Sequence, residues 1–292
     1  MKPAPFAYHR PQTVADVFAL LARFGDGAKL LAGGQSLAPM LNMRLARPDH
    51  LIDLNDLLEL DFVRERPGAI EIGSLTRHHR VATDRQVASA CPILAAAAAT
   101  IGHYAIRQRG TLGGSLSHAD PAAQLPLIAT LLDAEICIAS RTGSRVAKAR
   151  GFFISSLITA LKPGEMITSV RFPVFGPSQG WGLEIFTQRH GDFAIVSLAA
   201  TLQRAETGAV QALSLALGGV AVAPVCLDEI LLPFHGRVPD AAWRAEIGAA
   251  VAQAIAPEED KRIPAAYRRE LAETLTMRAL SAAVARAGNC DV

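Results

Sequence analysis

Apolar positions along the chain change spacing several times, and each change marks an element. Val14, Val17, Phe18, Leu20, Leu21 and Phe24 recur at helical intervals behind Thr13, whose hydroxyl suits a helix N-cap. A strand-like segment at 5–9 precedes this helix. Short apolar runs predict strands at 29–32, 51–54 and 69–73, and a short helix is expected at 40–45. From Arg77 the pattern turns helical, with an apolar helix at 92–101 and another at 121–132. Strands follow at 135–140 and 165–172, with a turn and return strand at 141–150 between them and Pro173 closing the last. Beyond the Gly- and Pro-rich stretch Phe175-Gly176-Pro177-Ser178-Gln179-Gly180 the strands lengthen, at 181–188, 195–204 and 210–217. Helices at 241–254 and 267–287 come after them. The pattern predicts an α+β protein with two domains, 1–176 and 177–292, the second an antiparallel sheet backed by helices. No internal repeat is present.

Two glycine pairs interrupt this pattern at informative places. Ala32-Gly33-Gly34-Gln35-Ser36-Leu37 ends a predicted strand, and Thr111-Leu112-Gly113-Gly114-Ser115-Leu116 follows a helical stretch. A Gly-Gly pair removes two Cβ atoms and lets backbone N–H groups approach an anion closely. Ser36, Thr111 and Ser115 add hydroxyl donors. Together the two pairs point to a diphosphate clasped from both sides. The phosphate motifs of ATP enzymes and of the βαβ dinucleotide fold are absent, since neither Gly-x-x-x-x-Gly-Lys-Ser/Thr nor Gly-x-Gly-x-x-Gly occurs.

Composition narrows the classes. A net charge of +2 over 292 residues, with no long basic run and 5% aromatic residues, gives no electrostatic or stacking case for nucleic acid. The 50% hydrophobic fraction is high, yet no apolar run reaches the length of a membrane span. The opening Met1-Lys2-Pro3-Ala4-Pro5 lacks the pattern of a secretory signal, so a cytoplasmic location is expected. Cys91, Cys137, Cys226 and Cys290 are scattered without a CxxC pair, which predicts free thiols and no metal or iron–sulfur site on this chain. His78-His79 lacks a third ligand and is expected to be structural. His118-Ala119-Asp120 has no nucleophile set in a suitable turn, so hydrolysis is not expected. Tyr267-Arg268-Arg269 is expected to be a solvated helix face, with a subunit contact as the alternative.

The glycine strings resemble the paired flavin motifs of the FAD-binding medium subunits of molybdenum hydroxylases, the carbon monoxide dehydrogenase and xanthine dehydrogenase class. Pro39, Leu41, Asn42 and Arg44 continue the first motif. Leu51-Ile52-Asp53-Leu54, Ile72-Gly73-Ser74-Leu75-Thr76-Arg77-His78 and Ile101-Gly102-His103-Tyr104-Ala105-Ile106-Arg107 keep the family's order and spacing. Gly110 and Ser117-His118-Ala119-Asp120-Pro121 flank the second motif. Gly191-Asp192-Phe193-Ala194, Ala266-Tyr267-Arg268-Arg269 with Leu271, and Arg278-Ala279-Leu280 carry the resemblance through the second half.

The resemblance implies a two-subdomain FAD-binding fold of the vanillyl-alcohol-oxidase type, with subdomains of about 1–56 and 57–176, plus a C-terminal α+β domain. It implies that Leu30, Leu31, Ala32, Gly33, Gly34, Gln35, Ser36 and Leu37, with Thr111, Gly113, Gly114 and Ser115, hold the pyrophosphate and neighbouring ribose. Lys29 would reach the adenosine end. Ile101 and Ile106 would approach the isoalloxazine, Asp120 would bond ribityl or ribose hydroxyls, and Ile167 would add an apolar contact. Gln124 stands where relatives usually carry an acid, and Pro264 where small polar residues are common. Gln35 stands in the glycine loop where related flavoenzymes can carry a histidine that attaches the cofactor. An amide is not nucleophilic enough for that, so non-covalent FAD is expected.

The function implied is electron transfer. Electrons would pass from the 2Fe–2S clusters of a small partner subunit through FAD to an external acceptor, with substrate oxidised at molybdopterin on a large partner. A dimer of heterotrimers is the implied assembly. No substrate acid/base pair stands out in the sequence, as suits a chain whose cofactor carries the chemistry. Two other readings stay open at this point: a flavin-free assembly or binding protein of the same fold, and a self-contained FAD oxidoreductase.

Overall fold

The computed structural model describes residues 2–288. Its first layer is a small parallel sheet built from β1 (Ala7–His9), β2 (Ala28–Leu31) and β3 (His50–Asp53), in the order β1-β3-β2. Helix α1 (Val14–Phe24) crosses from β1 to β2, and Asp16 N–H donates to Thr13 Oγ1 at 3.1 Å, so the N-cap stands as expected. Val17 and Phe18 pack with Ile52, Leu54, Leu57 and Leu60 beneath the sheet. Helix α2 (Leu37–Asn42) joins β2 to β3. It begins three residues earlier than the apolar pattern suggested, because Ala38 N–H bonds Gly34 O at 2.9 Å and the chain turns straight into a helix.

The second layer is an antiparallel sheet in the order β4-β5-β10-β6-β7. Strands β4 (Val63–Arg66) and β5 (Ala69–Gly73) lead to helices α3 (His78–Thr83), α4 (Arg85–Ala90), α5 (Pro92–Ala99), α6 (Tyr104–Arg107), α7 (Leu112–His118) and α8 (Gln124–Leu131). Strands β6 (Glu135–Ser140) and β7 (Gly143–Lys148), the hairpin β8 (Phe153–Ser155) and β9 (Ile158–Thr159), and β10 (Met166–Pro173) follow. Ile70, Ile72, Ile136, Ile138, Val170 and Phe172 meet α5 and α8 in the largest core. Sequence patterning missed β4 because Val63-Arg64-Glu65-Arg66 is an edge strand that buries little beyond part of Val63. It also began α8 three residues early. Asp120 Oδ1 accepts from Ala122 N–H at 2.8 Å and holds residues 120–122 in a turn ahead of the helix.

The third layer holds β11 (Gln179–Thr187), β12 (Ala194–Arg204), β13 (Val210–Gly218) and β14 (Val225–Cys226), antiparallel and in chain order. Short α9 (Asp228–Leu231) precedes α10 (Ala241–Ala254) and α11 (Ala265–Ala287). One sheet face, Val196, Leu198, Ala200, Leu202 and Leu215, packs on Trp243, Ile247, Leu275 and Ala279 of these two helices. Ala199 and Ala216, on the other face, join the core that contains α5 and α8. The sheet is therefore covered on both sides, which explains why β12 reads as a continuous apolar run. The four-stranded antiparallel sheet backed by helices is the arrangement expected for the second half.

Among the described residues Cys91, Cys137 and Cys226 are free. Burial pushes the Cys91 thiol up to about 12 and the Cys226 thiol up to about 11, which keeps both protonated and unreactive. Cys290 lies outside the described residues. No described helix is long and apolar enough to cross a membrane. Tyr267 and Arg269 are exposed, as expected for a solvated face, while half-buried Arg268 departs from it. Arg268 Nη1 donates to the carbonyls of Ile195 and Gly219, which fastens α11 to the sheet, and exposed Arg269 adds one bond from Nε to Ile255 O at 3.3 Å.

Candidate functional site

The two glycine segments, distant in sequence, meet in space. A Cβ on Gly33 would lie 2.1 Å from Arg109 O and 2.8 Å from Gly110 Cα, so only glycine lets these backbones touch. Ala32 comes up against Gly114 on the same side. Gly34 takes φ +71°, the left-handed turn that sends the chain from β2 into α2.

The segments differ in what their N–H groups do. Among the described residues, those of Gly33, Gly34, Gln35, Ser36 and Leu37 have no intramolecular acceptor. Ser36 is the N-cap of α2, yet its hydroxyl makes no capping bond. This run of unpaired donors suits an anion such as a diphosphate. The second segment takes a different form: Gly113 and Gly114 lie in the first turn of α7. Leu112 N–H donates to Thr76 O at 3.0 Å and Gly113 N–H to Ser74 O at 2.8 Å. Gly114 N–H donates to Thr111 Oγ1 at 3.1 Å, and Ser115 N–H to Thr111 O at 3.0 Å. These donors are committed internally. Gly113 is small because a Cβ would strike Ser74 Cβ at 2.5 Å. Here the glycines serve close packing, and the Ser115 hydroxyl stays without an internal partner among the described residues.

Residues 76–78 hold this segment like a strand partner, with His78 N–H donating to Gly110 O at 2.9 Å. The buried His78 ring adds Nε2–H to Thr111 O at 2.9 Å, and its Nδ1 is buried with no hydrogen-bond partner. Burial lowers its pKa to about 4, against the ordinary 6.5, because a proton on Nδ1 would find no acceptor. The unfolded chain then binds more protons between those values. Stability from this residue is complete above about pH 6.5, falls as pH drops through the window, and about 3 kcal/mol is gone below pH 4. In urea melts between pH 7 and 4.5, His78→Gln should lose less stability than the parent; equal losses would refute the assignment.

Most of the remaining predicted residues flank this junction. Burial holds the His118 pKa below its ordinary value against the opposing pull of Asp120, and Lys29, exposed on β2, adds a smaller lowering. Leu30, Leu31 and Ala32 are half-buried behind the turn, and exposed Gln35 folds its Nε2 back onto Gly33 O at 3.0 Å. Ile106 covers Gly102, which takes φ +48°. Arg107 Nη1 donates to the carbonyls of Ile101 and Gly102, both at 3.0 Å, which fixes Ile101 beside it. The chain then turns at left-handed Ala119 into Asp120. Pro121 O accepts from Gly219 N–H at 3.0 Å, tying this tail to the third layer. Gln124 is buried at the start of α8. Ile167 stands apart from the junction: it is buried in the second-layer core at a β-bulge of β10.

Sequence reasoning passed over Asn55, Arg77 and Arg107 as site residues. Asn55 follows β3 directly, and the two arginines lie inside the strings that carried the resemblance. Each reaches a backbone carbonyl distant in the fold or in its own loop, and Arg77 also reaches the Asn55 amide 22 residues away, contacts that leave no trace in sequence.

Comparison with known proteins identifies the family. Residues 4–175 match the family described as FAD binding domain in molybdopterin dehydrogenase, and residues 181–283 match the CO dehydrogenase flavoprotein C-terminal domain. The chain is 38% identical over 290 residues to the 6-hydroxypseudooxynicotine dehydrogenase complex subunit alpha of Paenarthrobacter nicotinovorans, covering 98% of this chain and 97% of that one. It is 35% identical to the carbon monoxide dehydrogenase medium chain of Afipia carboxidovorans, over 99% of this chain and 100% of the relative. A solved carbon monoxide dehydrogenase from Hydrogenophaga pseudoflava, lacking the Mo-pyranopterin moiety of its cofactor, superposes with a TM-score of 0.94. Identity is 34%, and 98% of this chain and 99% of that chain are covered. The chain belongs to the FAD-binding medium-subunit family of the molybdenum-containing dehydrogenases, with a two-part flavin fold followed by the CO dehydrogenase flavoprotein C-terminal domain.

Proposed function

We infer that this chain binds FAD non-covalently and relays electrons within a heterotrimeric molybdenum hydroxylase. The observation that carries the reading is the run of unpaired N–H groups from Gly33 to Leu37, packed against the Arg109–Gly110 backbone. Those donors would meet the diphosphate without ordering long side chains. The Ser36 and Ser115 hydroxyls and Asp120 would bond sugar hydroxyls and phosphate oxygens. Lys29 would lie toward the adenosine end. Ile101 and Ile106 would present the apolar surface on which the ring system rests, while Gln124 and Ile167, both buried, would support the site from behind. Bound FAD accepts electrons one at a time and releases them in pairs. The residues of this chain hold it, exclude water around it and set its surroundings.

The relatives are named as subunits or chains of dehydrogenases. By that likeness this chain works with a large molybdopterin subunit and a small 2Fe–2S subunit, in a dimer of heterotrimers, and hands electrons to an external acceptor in the cytoplasm. The flavin-binding region comprises 1–176 in two subdomains, and 177–292 forms the C-terminal domain.

The test is a visible absorption spectrum of the purified chain after FAD is added and the excess removed, followed by acid precipitation. Flavin bands in the protein, with all the FAD released to the supernatant, are expected. Flavin that stays with the precipitate would refute non-covalent binding, and a folded chain without flavin bands would refute the site.

A further inference from the structure

The two glycine segments are joined by more than steric contact. Asn55 Nδ2 donates to Ala32 O at 2.9 Å, at the root of the first turn. Its Oδ1 accepts from Arg77 Nη2 at 2.6 Å, and Arg77 Nη1 donates to Arg109 O at 2.5 Å. Arg109 O is the same carbonyl that a Cβ on Gly33 would strike. The chain of bonds therefore runs from Ala32, through one amide and one guanidinium, to the backbone facing Gly33. It is braced from behind. Buried Asp53 accepts from Asn55 N–H at 2.9 Å, from Asn55 Nδ2 and from the Tyr8 hydroxyl, which fixes which way the Asn55 amide points. Arg77 itself is pinned by its backbone, between His78 N–H to Gly110 O and Leu112 N–H to Thr76 O.

We propose that Asn55 and Arg77 form a clasp that sets the spacing between the two glycine segments, and so act as positioning residues for the diphosphate of the cofactor. The clasp rests on the flavin-site reading above. Neither residue is needed as a ligand: both side chains are occupied with carbonyls and with each other. Their effect is on geometry, because the donors at 33–37 converge on an anion only while Ala32 and Arg109 stay in register. The planar fork of arginine serves two acceptors at once, Asn55 Oδ1 and Arg109 O. A lysine ammonium on a flexible stem is a single point of charge and cannot hold both in one plane. The bond chain also makes the two residues one unit, so removing either end releases both segments.

The test is calorimetric titration of the flavin-free full-length chain with FAD and with ADP, which carries the same diphosphate without the flavin. Arg77→Lys and Asn55→Ala should each weaken both ligands about tenfold or more, as expected for loss of a charge-assisted hydrogen bond from a site that depends on it. The Arg77→Lys/Asn55→Ala double variant should be no weaker than either single one. Arg77→Ala should match Arg77→Lys, since retained charge does not restore the bridge. Three results would overturn the clasp: parent-like affinity in both single variants, recovery of affinity by lysine, or additive losses in the double variant. If Arg77→Lys does not fold, Asn55→Ala alone decides, by the same loss for FAD and ADP or its absence. A parent chain that binds neither ligand would overturn the flavin site and the clasp with it. A parent that binds both, beside variants that bind equally well, would overturn the clasp alone.

Discussion

Gly33→Ala is expected to lower FAD affinity by about a hundredfold or more, the largest loss from adding a single carbon to this chain. The new Cβ would sit 2.1 Å from Arg109 O and 2.8 Å from the Arg109 carbonyl carbon and Gly110 Cα, all backbone atoms. That backbone is not free to yield. Arg77 Nη1 holds Arg109 O, Gly110 N–H bonds Ile106 O at 2.8 Å, and Gly110 O accepts from His78 N–H. The turn at 33–36 must retreat instead, by about an ångström, to restore ordinary contact. Its N–H groups then lose their common focus. Two charge-assisted hydrogen bonds forfeited at about 1.5 kcal/mol each already amount to the stated loss. Overpacking adds a stability cost of about 1–3 kcal/mol. Gly34→Ala is the instructive contrast. Its φ of +71° makes alanine strained by about 1–2 kcal/mol, but its nearest neighbour is the flexible tip of Leu31 at 3.3 Å. That variant should lose stability and keep more of its affinity. Equilibrium dialysis with FAD and thermal melts of the flavin-free proteins would separate the two. Tight FAD binding by Gly33→Ala would overturn the role given to the contact.

The first glycine turn was legible in sequence because its chemistry is local: a strand, two glycines and a hydroxyl within a few residues. The second was legible as a motif and not as a structure. Nothing near Gly113 in sequence says that its N–H goes to Ser74 O, or that its Cβ would occupy the place of the Ser74 side chain. The internal bonds that close α7 depend on that distant partner. Asn55 and Arg77 were hidden in the same way, by partners 22 to 32 residues away. The long strands and helices of the second half declared themselves through apolar runs. The edge strand β4 did not, since an exposed edge carries no hydrophobic signature. Arg268 misled for a related reason. A basic run on a terminal helix reads as solvated until the carbonyls of Ile195 and Gly219 are seen to take its guanidinium.

Gly182→Ala should be the most destabilising small substitution in the third layer. Gly180 and Gly182 lie on the same face of β11, and α11 crosses directly over them. A Cβ on Gly182 would sit 1.9 Å from Ala279 O, and one on Gly180 1.9 Å from Ala283 O and 2.7 Å from Ala287 N. The helix presents only backbone and alanines there, so nothing at the contact can swing aside. Between the two glycines, the Trp181 ring lies 3.7 Å from the Arg286 guanidinium, and Arg286 Nη1 donates to Trp181 O at 2.6 Å, which holds the helix down. Adding a methyl group must lift α11 from the sheet and open the core around Leu275 and Ala279. A loss of about 3 kcal/mol is expected, a fall in melting temperature of about 6–12 °C for a chain of this size. Gly176→Ala, with nothing within 4 Å of its Cβ, should melt within about 0.5 kcal/mol of the parent. The displacement should also reach the flavin site. Arg268 on α11 bonds Gly219 O, and Gly219 N–H bonds Pro121 O next to Asp120. Gly182→Ala is therefore expected to weaken FAD binding less than Gly33→Ala does, while costing more stability. Parent-like FAD affinity in Gly182→Ala, beside its loss of stability, would show that α11 and the flavin site are not coupled through Gly219.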